Sequence, residues 1–326
     1  MGYLLQLSII LILSSSSTMD DWGFFSHKRI NRMAVFTIPD SELFHFYKFH
    51  IDFITDHAVD PDKRRYAVDG ESERHYIDID HYVDSGVDPF SVMPRNWDDA
   101  VSKFTEDTLK AYGIVPWHVN WMVSRLTNAF REKNLDKILR CSADIGHYIG
   151  DAHVPLHTTE NYNGQFTDQK GIHAFWESRI PELMADNYDY LVGKAFYVKS
   201  PLNKMWDVVE HSFRAVDSVL SFEKELSNEW PEDKKYSIEN RGQVSMKVYS
   251  REFSLEYASR LNGMQNKRMR EAILTVGSFW YTAWVNAGQP DLKELSGGVS
   301  DEYQKEINEI DKKSKNNKIK GREHFK

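Results

Sequence analysis

The chain has 326 residues, 41% of them hydrophobic and 13% aromatic, which is enough apolar material for a sizeable core and excludes disorder over most of its length. Its formal net charge of -8 argues against a protein that holds nucleic acid by a basic surface alone; a phosphate-bearing substrate would need positive charge supplied largely by bound metal. A single cysteine, Cys141, rules out an intramolecular disulfide and a thiolate-rich metal site, and it reads as a buried structural thiol.

The chain opens with MGYLLQLSIILILSSSST, whose apolar run is too short to span a bilayer and is followed by small polar residues, so residues 1–21 are expected to be a signal peptide and the protein to be secreted or periplasmic. Helical spacing then predicts helices over 41–59, 116–132, 135–150, 202–226, 244–261 and 264–286, the last containing SFWYTAWV, apolar nearly all round as in a core helix. Clear alternation is scarce, with HYIDIDHY the main exception. Residues 295–326 form a polar tail, predicted as a short helix and then a disordered end, and residues 311–326 carry seven Lys/Arg against two Asp/Glu. A single all-α domain over 22–294 is the simplest account, with no stable protein partner implied and a monomer expected.

The chemistry concentrates in HYIGDAHVPLH and GIHAFWES. His147–Asp151 and His173–Glu177 are each spaced four apart, with His157 between the pairs. On a helix that spacing puts both side chains on one face, where an imidazole nitrogen and a carboxylate oxygen can converge on one ion at about 2 Å. The pattern reads as a multinuclear zinc site. Other segments rich in metal-ligand types are WGFFSHKRIN with His27, HAVDPDKRRY with Asp60, and RHYIDIDHY with His75. Arg64 and Arg65 read as a solvated basic pair, and His153 as a structural neighbour of the site.

Together these fragments resemble the superfamily that joins bacterial zinc-dependent phospholipases C with single-strand-specific zinc nucleases of the S-one/P-one type. The resemblance covers residues 22–287 and implies an all-α fold with three Zn2+ ions in a cleft. It implies that Asp60, His75, His147 and Asp151 hold the first ion and that His157, His173 and Glu177 hold the second. Asp151 would bridge to a third, completed by His27 and by the amine and carbonyl of Trp22, which requires the leader to be cut between Asp21 and Trp22. Asp78 matches a family carboxylate near the attacking water, an orienting group or general base. Lys63 matches a basic position that can contact phosphate. Tyr76 sits where a nuclease stacks a base, a contact worth roughly 1–3 kcal/mol, though a packing role is equally open.

What the resemblance implies is metal-dependent hydrolysis of a phosphodiester, phospholipid or single-stranded nucleic acid. The step from Trp22 to His27 is nuclease-like. The short loop 157–173 and the lack of disulfides are phospholipase-like, and the balance leans to the phospholipase. The alternative from another class is a non-catalytic zinc-binding protein with the same fold.

Overall fold

A computed structural model describes residues 23–39, 41–241, 244–318 and 320. The leader and Trp22 lie outside the described residues. The described chain is mostly helical, with a single two-stranded antiparallel sheet among its described residues. None of their helices is long and apolar enough to cross a membrane.

Helices α1 (Gly23–Val35), α2 (Glu42–Phe49), α3 (Ile51–Asp56) and α4 (Asp60–Arg64) come first. The stretch 65–96 has only single 3-10 turns, one of them at Ile79–Tyr82, so the alternating HYIDIDHY is not a strand. Then follow α5 (Trp97–Phe104), α6 (Glu106–Ala111), α7 (Val115–Arg131) and α8 (Leu135–Ala152). The last of these starts where Asn134 caps it, its side-chain oxygen accepting from the Lys137 N–H at 3.0 Å. Short helices α9 (Ile172–Ala174) and α10 (Ile180–Met184) are joined by a π turn over Phe175–Arg179. The chain ends with α11 (Pro201–Phe213), α12 (Val216–Glu229), strands β1 (Tyr236–Arg241) and β2 (Val244–Tyr249), α13 (Arg251–Arg260), α14 (Met264–Asn286) and α15 (Asp301–Asn316).

Three expectations need correction. The predicted helix 41–59 breaks at His50, whose Nε2 bonds the Leu295 carbonyl at 2.8 Å. The predicted helix 202–226 breaks between Phe213 and Val216. Within 244–261 only the second half is helical: VSMKVY alternates, and it pairs with YSIENR so that Tyr236 faces Tyr249.

Helix α8 lies at the centre, nearly all of its residues from Ser142 to Ala152 being buried. α1 crosses it closely because Gly146 has no side chain; a β-carbon there would stand 1.7 Å from the Asn31 amide oxygen. Asn31 uses the space to donate to the carbonyls of Ile54 and Ala143, tying α1 to α3 and α8. α14 closes the core from above. Its Trp280 is fully buried, stacks on Tyr47 at 4.5 Å, and satisfies its indole N–H at the Ser142 carbonyl. A second apolar cluster, Ile172, Phe175, Ile180, Tyr249, Phe253 and Tyr257, seats the hairpin against the π turn.

Candidate metal centre

His147 and Asp151 project from one face of α8, both buried. The His147 Nδ1–H donates to the Ala58 carbonyl at 2.8 Å, which fixes the tautomer and turns the Nε2 lone pair inward. That Nε2 stands 3.2 Å from Asp151 Oδ2 and 3.1 Å from His75 Nδ1. Asp62 Oδ1 completes the group at 3.7 Å from His147 Nε2 and 3.9 Å from His75 Nδ1.

The second group stands on the π turn. Pro181 has no N–H to give the Glu177 carbonyl, which a regular α-helix would require, so the ladder slips by one residue. The freed carbonyl accepts instead from the Ser26 hydroxyl at 3.3 Å. His173 Nδ1–H donates to Tyr162 O at 2.9 Å and His157 Nδ1–H to His75 O at 2.8 Å. Both Nε2 atoms therefore face inward, 3.2 Å from each other and 2.9 and 3.4 Å from Glu177 Oε2. As neutral imidazoles they bring two lone pairs and a carboxylate oxygen together inside the protein, an arrangement that needs positive charge in its midst. A tetrahedral ion with ligand bonds of about 2.0–2.2 Å separates its ligands by about 3.3–3.6 Å, close to these spacings.

His27 joins the two groups. Its Nε2 is 3.4 Å from Asp151 Oδ1 and 3.6 Å from Glu177 Oε1, and its ring stacks on His147 at 3.9 Å. The two oxygens of Asp151 consequently face different partners, Oδ2 toward His75 and His147, Oδ1 toward His27 and His157. Among the described residues, three sets, each with ligand atoms lying within 4.8 Å of one another, could hold metal ions: His27, His147 and Asp151; Asp62, His75 and His147; His157, His173 and Glu177.

Burial shapes the charges. It pushes Asp151 up to about 7 against the pull of His157 and His27. Burial also pushes Glu177 upward, but the close ring nitrogens of His157, His173 and His27 together outweigh it and hold that carboxyl well below its usual range. His75 is driven far below the ordinary histidine value, first by burial and then by His147. Neutral imidazole and ionised carboxylate are the forms a divalent cation selects.

Of the sequence-derived ligands, His27, His75, His147, Asp151, His157, His173 and Glu177 converge in these sets. Asp60 does not belong to them. Its Oδ2 accepts from His57 at 2.7 Å and its Oδ1 pairs with Lys63 at 3.3 Å, while Asp62, two residues on, takes the inward position. Lys63 is tied between Asp60 and Asp311, the latter at 2.9 Å. Tyr76 is 4% exposed and its hydroxyl donates to the Ala111 carbonyl, the position of a packing residue. Asp78 is buried, with its N–H donating to Tyr112 O at 2.7 Å. His153 is buried behind the site, its Nδ1 bonded to Ile149 O.

Arg64 and Arg65 are not a solvated pair. Arg64 is buried between Asp144 at 2.9 Å and Glu71 at 3.4 Å, and Glu71 also takes a short hydrogen bond from Tyr148. Arg65, 2% exposed, places Nη1 3.6 Å from Asp62 Oδ1. The buried contacts of Arg64 and Arg65 and the inward turn of Asp62 escaped the sequence reading, although DPDKRR offered two carboxylates within one turn. No protein-family model matches the chain, and no curated protein matches it.

Proposed function

We propose that the protein is a zinc-dependent phosphodiester hydrolase of the phospholipase C and zinc nuclease type. The observation that carries the reading is the position of Asp151, whose two oxygens face separate groups of inward-turned imidazoles. Asp62, His75, His147 and Asp151 would hold one ion, His157, His173 and Glu177 a second, and His27 with Asp151 part of a third. Three carboxylates and five histidines with no thiolate suit zinc in an open, catalytic role. Bound divalent ions make water a nucleophile at neutral pH, polarise a phosphoryl oxygen and neutralise a leaving alkoxide.

The chain's own residues hold those positions. Backbone carbonyls fix the tautomers of His147, His157 and His173. Asp78, buried three residues after His75, stays the candidate for orienting the attacking water. Within the class, a phospholipid-type ester is the favoured substrate. Tyr76 and Lys63, the two residues a nuclease would use on base and phosphate, are occupied by Ala111 and by Asp60 and Asp311. The loop 157–173 instead carries Phe166, 71% exposed, suited to an apolar substrate surface.

Hydrolysis of a chromogenic phosphodiester tests the reading, with activity expected to vanish on chelation and in His147→Ala. Full activity after either treatment would rule it out. Parallel assays on phosphatidylcholine vesicles and single-stranded DNA then distinguish the substrates, and preference for the DNA would reject the phospholipid assignment.

A further inference from the structure

The one-turn helix α4 carries Asp62, and a five-residue helix cannot set its own position. Besides α8, to which Arg64 ties it through Asp144, what lies against it is α15, from the polar tail. Only Tyr303 and Ile307 of that helix are buried, so apolar burial gives it little reason to dock. Its polar contacts run from α8, where Glu306 pairs with Arg140 at 2.8 Å, to the segment around α4. Asp311 pairs with Lys63 at 2.9 Å. Just past the helix, Asn317 Nδ2 donates to Tyr66 O at 3.2 Å and the Lys320 N–H to Arg65 O at 2.8 Å, while Lys320 Nζ reaches Asp69 at 3.0 Å. Arg65 in turn sets its guanidinium 3.6 Å from Asp62 Oδ1, the oxygen that faces His75 and His147.

We propose that α15, with Asn317 and Lys320 beyond it, forms a brace that positions Asp62 through Arg65, so that these residues control metal affinity at the Asp62–His75–His147 group and leave the His157–His173–Glu177 group untouched. The inference rests on the metal reading of the site. Arg65 is a positioning residue here: it acts on Asp62 and touches no reacting atom.

The test is titration of zinc alone into the chelator-stripped full-length chain, comparing wild type with Asp311→Lys/Lys320→Pro. The double change repels Lys63 and deletes the N–H given to Arg65. The expected result is unchanged helical circular dichroism, one class of zinc weakened about 10- to 100-fold, as loss of an outer ligand support does, and the remaining ions bound as in wild type. Asp62→Asn should weaken the same ion, and combining it with the double change should add little. Asp311→Asn serves as a milder variant with a smaller shift of the same class if the double variant folds poorly. Unchanged affinity in all variants, or losses that add across different ions, would overturn the brace. A wild-type chain that binds no zinc would overturn the metal reading itself, and the brace with it.

Discussion

A β-carbon on Gly150 would stand 2.9 Å from Nδ1 of His27, so the imidazole leans on bare backbone one turn after Gly146. Gly150→Ala sets two effects against each other. Helix propensity favours alanine by about 1 kcal/mol, whereas the new methyl must displace a buried ring that stacks on His147. The ring is confined, so displacement wins. The variant is expected to lose at least tenfold in phosphodiesterase activity with stability changed by less than about 2 kcal/mol; full activity would show that His27 is dispensable.

Asp60 and Asp62 should respond differently to the same change. Asp62→Asn is expected to lower zinc affinity and activity by two orders of magnitude or more. Asp60→Asn breaks the charged contacts to His57 and Lys63 and is expected to cost roughly 1–3 kcal/mol of stability while zinc stoichiometry is kept. Zinc content measured on both variants decides the matter, and the reverse pattern would restore Asp60 as the ligand.

Acid should destabilise the fold partly through His118. Burial first, and then the charges of Arg74 and Arg125, hold its folded pKa well below 6.5. The unfolded chain takes up that proton near pH 6.5 and the folded one does not. The stability is therefore fully present above about pH 7.5 and is lost as pH falls below 6.5, by up to about 1.4 kcal/mol per unit. His118→Phe should flatten this slope in urea unfolding between pH 7.5 and 5. An identical slope in both chains would remove His118 from the account.

Cys141 should be inert while the chain is folded. Burial and the neighbouring Asp144 push its thiol up to about 12, so almost none is thiolate at pH 8. Alkylation by iodoacetamide is expected to be slow in buffer and rapid in guanidinium. Cys141 is half-buried rather than fully buried as expected, and equal rates in the two would contradict its protection by the fold.

How far the sequence could be read depends on whether a feature is local. The pairs His147–Asp151 and His173–Glu177 were visible because four-residue spacing fixes a shared face, whatever the rest of the chain does. The choice between Asp60 and Asp62 was not, since both lie in one turn and only His57, Lys63 and Arg65 decide which carboxylate turns inward. Within 244–261 the alternation of VSMKVY signalled a strand and was hidden by the helical segment that follows. The break between α11 and α12 has no glycine or proline to announce it; the apolar pattern runs on through it. The burial of Arg64 needed Asp144 and Glu71, remote partners that no local pattern supplies.

The inward-turned imidazoles of His147, His157 and His173 are each leashed to a main-chain oxygen, the first two to the distant Ala58 and His75 and the third to Tyr162 in the preceding loop. Their aim is settled when the backbone folds. An arriving ion would then find its cage already shaped, so stripping the ions should leave the scaffold standing, and reloading should be quick, paced by shedding of hydration water rather than by refolding.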